Sequence, residues 1–362
     1  MRYYIMNKDT KVLFFDIPDN SADFNIVVMG VYNQALIPRP IKSEDDIKSW
    51  LLTRLAVLNR RDLYLRFKDT QSLSDIVELT HFTSLNDTYW VNKADTEVQW
   101  SDISPYTNSL NTDIFHSHFD NISIIDPLDF FKAPTYFRRL WIKQNNDIML
   151  YKGSSNYSEE LNNDDRHTYC EVLTSEFARY LGMDAVEYRT LIYDNSLVSA
   201  CRCICSEATG LYSVKDIYPN AKTLRELFDL DFGEPVDISY KKLTDMFLLD
   251  YLVLNIDRHM KNIGVLVENN TQRLSGIAPM FDFNVSLGVG CATEHKSLDA
   301  FIKAHPNTIN RLTDIFKYIV SRDRGYINQL LTKASSYTFI GKYADTANEV
   351  LRHQLKLAYS LL

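Results

Sequence analysis

The residues best placed to do chemistry lie in the segment Asn255-Ile256-Asp257-Arg258-His259-Met260-Lys261-Asn262, directly after an apolar, helix-like stretch. An apolar run, Ile263–Val267, follows it, then Glu268-Asn269-Asn270-Thr271, then a second apolar stretch ending at Phe281. Asn-rich turns between apolar runs predict a β-hairpin. In such a hairpin Asn262 opens the first strand and Asp282 closes the second, so both fall at the same end, with Asp257 a short loop away. Magnesium takes carboxylate and amide oxygens together with phosphate oxygens and water, so the arrangement predicts a platform for Mg-ATP. Taken singly, each residue also has a plain structural use: Asp257 at a helix end or in a loop, His259 as a satisfied core histidine, Asp282 as a turn former. Asp, His at +2, Lys at +4, Asn at +5, a hairpin and then Asp-Phe have few structural reasons to arise together.

The elements that must hold these residues follow from periodicity. The stretch Ser239–Leu254 carries Leu243, Met246, Phe247, Tyr251 and Leu254 on a wide apolar face and predicts a deeply buried helix. Upstream, Tyr136–Lys143 and Asp147–Lys152 are strand-like runs around the turn Gln144-Asn145-Asn146. After Gly153 and a polar loop comes a predicted helix from Arg166 to Leu181, stopped by Gly182. Strands are predicted at Val186–Tyr193 and Leu197–Cys205, with Glu207–Gly210 breaking the strand pattern. The first 130 residues read as mixed, with helices near Ser43–Asn59 and Ser72–Thr80 and a turn entering an aromatic strand over Ser84–Val91. From Ala300 to Leu362 the pattern is mostly helical.

Composition bounds the rest. A chain of 362 residues fits two lobes or domains, and 45% hydrophobic with 24% charged residues is ordinary for a globular protein with a sizeable core. The formal net charge of -8 disfavours direct nucleic-acid binding, whereas one site with a magnesium ion and a lysine overrides the global sign for an anion such as ATP. No signal peptide and no apolar run of about 18 residues is readable, so no membrane association is expected. Of five cysteines, Cys201, Cys203 and Cys205 alternate, which on a strand puts all three on one face as reduced thiols and points to the cytoplasm.

The segment Asp257–Asn262 resembles the catalytic loop of HipA-like serine/threonine kinases, Asp-x-His-x-Lys-Asn followed by a metal-binding Asp. Its Asp-Arg-His-x-x-Asn form is also similar to phosphatidylinositol kinases, distant members of the same kinase-like superfamily. The likeness runs over roughly residues 84–290, with Ser84–Trp90, the Lys152 strand and Leu181-Gly182 in the expected order; residues 1–83 match loosely.

The resemblance implies an α+β, two-lobed protein-kinase-like fold. Residues 1–130 would pack with the N-terminal lobe, 131–208 would form its core, and 209–362 would form a mainly helical C-terminal lobe with the catalytic loop and metal-binding hairpin. It implies ATP and Mg2+ as cofactors, a protein substrate phosphorylated on Ser or Thr, and a toxin or signalling kinase with a small DNA-binding antitoxin as partner. Carried over by position, Asp257 orients the substrate hydroxyl or accepts its proton, Asn262 and Asp282 hold magnesium, Lys261 neutralises the transferred phosphoryl group, and His259 braces the loop. Lys152, closing its predicted strand, resembles the lysine that grips the α- and β-phosphates. Its glutamate partner is Glu171 by family spacing and Glu176 by helical phase, and we take Glu171. Adenine is expected against the strand Cys203–Glu207, which makes Cys205 and Glu207 the cofactor contacts there.

Two departures stand out. Ala133–Asp147 holds no glycine, so no phosphate-cradling Gly-rich loop is evident, and the metal motif reads Asp282-Phe283-Asn284 where ordinary protein kinases have a glycine third. A kinase of lipids, sugars or other small molecules and a nucleotide-binding pseudokinase module therefore stand as alternatives.

Overall fold

The computed structural model describes residues 1–17, 26–54, 77, 80–110, 137–145, 147–155, 165–193, 195–288 and 297–362. They form two compact units: Met1–Met149 with Cys203–Tyr212 and Val265–Ser275, and Leu150–Arg202 with Ser213–Gly264 and Gly276–Leu362. The fold is mixed α+β.

In the first unit, β1 (Arg2–Asn7), β2 (Thr10–Asp16), β3 (Val27–Val31) and β4 (Tyr89–Lys93) form a sheet in the order β3-β2-β1-β4. Its described pairings are antiparallel. Alternate side chains Tyr3 and Ile5 of β1 and Leu13 and Phe15 of β2 point into a core completed by Ile47, Trp50 and Leu51 of helix α1 (Glu44–Arg54). The sequence predicts that helix over Ser43–Asn59; its residues past Arg54, like most of the predicted Ser72–Thr80 helix, lie outside the described residues.

Two further sheets carry β5 (Phe137–Gln144), β6 (Asp147–Ser155), β7 (Arg189–Tyr193) and β8 (Ser196–Arg202) in the order β5-β6-β8-β7, and β9 (Thr209–Ser213), β10 (Gly264–Glu268) and β11 (Leu274–Ile277) in the order β11-β10-β9. Three expectations change here. Strand β6 runs on past Lys152 to Ser155, so the lysine sits inside a ladder and is 5% exposed. Strand β8 stops at Arg202: the Cys203 N–H donates to the Ile148 carbonyl (2.7 Å) and the chain then bends, closing a turn from the Ser206 N–H to the Thr209 carbonyl (2.9 Å). Cys201 alone of the three cysteines therefore lies on the strand; the four described cysteines are free thiols. Strand β11 ends at Ile277, and Phe281 is reached by a non-ladder segment in which Met280 bridges Ala185.

Helix α2 spans Arg166–Leu181, as its periodicity predicts, and Gly182 ends it at φ 80°, a left-handed conformation that costs a residue without a Cβ nothing. Helix α3 (Val236–Leu252) is buried on nearly every side over Leu243–Leu252. It packs against α5 (Pro306–Arg322) and α7 (Ala344–Leu361), with Tyr251 stacked on Phe316 at 4.1 Å. Helices α4 (Leu298–Ala304) and α6 (Arg324–Ser335) lie on either side of α5 in the chain. No described helix is long and apolar enough to cross a membrane.

Candidate active site

Helix α3 delivers the site. It ends at Leu252, Val253 caps it, and Leu254 at φ 48° turns the chain into the loop Asn255–Asn262. A left-handed leucine costs roughly 1 kcal/mol, so the surrounding structure must enforce it. Asp250, 0% exposed inside α3, does so: its backbone carbonyl accepts the Asn255 N–H (2.9 Å) and its Oδ1 accepts the Asn255 side-chain amide (2.8 Å). The same carboxylate takes Nε (2.8 Å) and Nη2 (3.1 Å) of Arg258, itself 1% exposed. A buried carboxylate without a cation would be costly, so each of these two groups makes the other tolerable.

Arg258 does a second job. Its Nη1 donates to the carbonyl of Asn262 (2.7 Å) and to that of Phe281 (3.0 Å). One nitrogen thus gathers the end of the loop and the residue before Asp282. Sequence reasoning passed over both Asp250 and Arg258. The available signal is a carboxylate inside an apolar run in the last turn of the helix, Leu249-Asp250-Tyr251, which demands a buried cation.

Within the loop, the Asn262 side-chain Nδ2 donates to the Asp257 carbonyl (3.1 Å) and lies 3.5 Å from its Oδ2. The nitrogen end of the amide is spent on the loop, which leaves the oxygen end, the one a hard cation takes. His259 is exposed, and its Nδ1 accepts the Lys261 N–H at 3.2 Å. Lys261 is exposed at the rim, and partial desolvation lowers its pKa.

Across from the loop, Lys152 donates to Glu171 of α2 and, at 2.7 Å, to Oδ1 of Asp282. Glu171 is 1% exposed, while Glu176 faces solvent. Helix α2 is fixed against the segment carrying Asp282: His167 Nδ1 meets the Asn284 carbonyl (2.8 Å), the Cys170 thiol donates to the Ser286 carbonyl (3.2 Å), and the Thr174 and Ser286 hydroxyls pair at 2.8 Å. These residues recur at three and four along the helix, one face of it.

The charge balance of the cluster is uneven. Among the described residues, Lys152 and Arg258 face Glu171, Asp282, Asp257 and Asp250, two cations against four carboxylates in a largely buried setting, with Lys261 outside at the rim. Burial pushes Asp257 above the usual carboxylate range; His259 pulls it back and Asp282 adds to the rise. A divalent cation would offset this excess, and the donor set of Asp282 carboxylate and Asn262 amide oxygen is the hard-oxygen kind magnesium takes while keeping room for phosphate and water. Among the described residues no three His, Cys, Asp or Glu side chains form a metal cage.

The structure thus gathers Lys152, Glu171, Asp257, Asn262 and Asp282, with His259 and Lys261 on the same loop. Cys205 and Glu207 belong to the first unit, on the bent segment after β8 and not on a strand. There the Glu207 carboxylate already accepts the Trp100 indole N–H (2.8 Å) and the Ser104 hydroxyl (3.0 Å), so its side chain has a structural employment.

No protein-family model matches the chain, and no curated protein matches it either. Solved structures do. The kinase CtkA of Helicobacter pylori, described as proinflammatory, aligns at 17% identity over 62% of this chain and 90% of its own, with a TM-score of 0.41. HipA of the Shewanella oneidensis toxin–antitoxin system, in complex with HipB and operator DNA, aligns at 11% identity over 98% of this chain and 96% of its own, with a TM-score of 0.50. The resemblance legible in residues 84–290 extends, as a fold, over nearly the whole sequence: this chain has the mixed α+β fold of HipA.

Proposed function

We propose that this chain is an ATP- and magnesium-dependent phosphotransferase that acts on Ser or Thr hydroxyls of a protein. The observation that carries the reading is the buried Lys152 shared between Glu171 of α2 and Asp282, next to a loop that presents Asp257 and Asn262. A lysine fixed by a helix glutamate beside an acidic, oxygen-rich cluster is what phosphoryl transfer needs from a protein: positioning, a metal platform and charge neutralisation, with little covalent work.

Bound Mg-ATP supplies the electrophilic γ-phosphoryl group and the cation that screens its charge. Asn262 and Asp282 would hold that cation through oxygen. Lys152, kept in place by Glu171, grips the nucleotide phosphates. Asp257 orients the substrate hydroxyl and takes its proton, and a pKa raised by burial brings the carboxylate closer to a useful base strength than an ordinary aspartate. Lys261 offsets charge on the transferred group, and His259 braces the loop through the Lys261 N–H.

The HipA neighbour is described with HipB and operator DNA. By the same reading a small DNA-binding antitoxin partners this chain and makes any operator contact, since a net charge of -8 opposes direct binding. Free thiols suit a reducing cytoplasm.

Thermal melting with and without Mg-ATP tests the site, because a ligand that binds only the folded state raises its stability. The wild type is expected to gain stability that Asp282→Ala loses. Transfer of labelled phosphate to proteins, lipids or small molecules then separates the substrate classes. Mg-ATP binding without any transfer, equal in wild type and Asp257→Ala, would leave a nucleotide-binding module in place of an enzyme.

A further inference from the structure

Asp282 is held in the left-handed region at φ 64°, and the peptide bond that sets this angle is gripped at both ends. Its carbonyl, that of Phe281, accepts from Arg258 Nη1 at 3.0 Å, and its N–H, that of Asp282, donates to the Tyr188 hydroxyl at 3.4 Å. Because a peptide unit is planar, two such contacts fix its rotation, and with it the direction from which the Asp282 side chain leaves the backbone. The same two residues flank the next side chain. The Arg258 guanidinium lies 5.7 Å from the centroid of the Phe283 ring, and the Tyr188 ring meets Phe283 edge-on at 6.3 Å. Phe283 is 0% exposed and Tyr188 4%. Tyr188 is itself anchored, since its backbone N–H donates to the Ser175 hydroxyl of α2 at 3.1 Å. The Lys152 ammonium that pairs with Asp282 sits 5.7 Å from the centre of the Tyr188 ring.

We propose that Tyr188 is a positioning residue which, with Arg258, brackets Phe281–Phe283 and locks Asp282 in its metal-facing conformation, so that the segment does not rotate between a binding and a non-binding arrangement. The inference rests on the nucleotide reading above and adds a residue outside both the loop and the Asp-Phe-Asn motif. It gives the third position of that motif a physical sense. A glycine there frees the segment to rotate, whereas Asn284 is 5% exposed and its carbonyl is tied to His167.

Tyr188→Phe in the full chain removes the hydroxyl and keeps the ring. The magnesium concentration giving half of the maximal ATP-dependent thermal stabilisation is expected to rise about five-fold, the effect of one net hydrogen bond, while melting without nucleotide stays near that of the wild type. Phe283→Leu, which removes the bracketed ring, is expected to shift the same midpoint and supplies the test if the tyrosine variant does not fold. A variant that lowers nucleotide-free melting but leaves the magnesium midpoint where it was marks Tyr188 as a packing residue only and overturns the bracket. A wild type indifferent to Mg-ATP overturns the nucleotide reading and the bracket together, whereas a responsive wild type whose two variants keep its magnesium midpoint overturns the bracket alone.

Discussion

Two buried cations, Arg54 in the first unit and Lys152 in the second, meet their carboxylates in opposite ways. Arg54 forms a two-pronged pair with Asp87 (2.7 and 2.8 Å), and its remaining donors reach the carbonyls of Phe82 and Tyr89, each at 2.7 Å. The Asp87 Oδ1 closes back on the Tyr89 N–H at 2.9 Å. One positive charge meets one negative charge, and the guanidinium lies over the Trp50 ring at 4.4 Å. Such a pair is finished; it ties α1 to β4 and asks for nothing more. Lys152 instead divides its ammonium between Glu171 and Asp282, with the carboxylate of Asp257 adding to the negative field. A closed ion pair organises a fold, while an unbalanced one creates a demand that a cation from outside can meet.

That contrast breaks most sharply at Asp282. Asp282→Ala should reduce phosphoryl transfer by about a thousand-fold or more, the scale seen when a preorganised charge-stabilising group is removed. Its melting temperature without nucleotide should be no lower than that of the wild type, because Lys152 and Glu171 remain as a balanced pair. A large loss of nucleotide-free stability would show that the acidic excess is structural after all.

Asp87→Ala should do the reverse. Stranding Arg54 costs about 3–5 kcal/mol, read in urea unfolding, while the magnesium midpoint of whatever remains folded is unchanged. Arg54→Met together with Asp87→Leu should recover most of that loss, since a well-packed apolar pair can replace a closed ion pair.

A third effect is smaller and depends on pH. The folded-state pKa of Asp257 is raised, so its ionised form costs stability above that pKa, and the cost is relieved as pH falls through it. Relative to Asp257→Asn, the nucleotide-free wild type should therefore gain stability as pH is lowered from neutrality toward the ordinary aspartate range. The acid limb of its transfer activity should likewise lie above that range. An acid limb retained in Asp257→Asn assigns the titration to another group. Smallest of all, Arg179→Ala breaks the exposed pair with Glu187 and should change stability by less than about 0.5 kcal/mol.

The parts of the site that were legible in sequence are those set by near neighbours. The loop Asp257–Asn262 follows an apolar helix whose period announces it, and the bounds of α2 follow from its periodicity and from Gly182. Strand ends were less legible. Strand β8 stops at Arg202, just before the Cys203 N–H makes a last bond to the Ile148 carbonyl of β6 and the chain bends; that bond joins residues 55 positions apart, a pairing that no local pattern encodes. Lys152 looked like a strand-end residue because Gly153 follows it, yet the ladder continues through that glycine. The partner of Arg258 was not legible either, since the buried Asp250 that takes its guanidinium lies in the preceding helix.

By itself the sequence determined the donors and their order: an aspartate, a histidine, a lysine and an asparagine in one short loop, and a second aspartate after a hairpin. Those choices are local, since covalent spacing and turn chemistry restrict them to within a few residues. Only the tertiary structure decided which charges meet. Lys152 and Asp282 are 130 residues apart and pair at 2.7 Å, and the one nitrogen of Arg258 that joins the Asn262 and Phe281 carbonyls was not readable from spacing. Burial is a collective property of the packed chain, and in the low-dielectric setting it creates, an excess of carboxylates becomes a demand for a cation instead of a solvated surface charge.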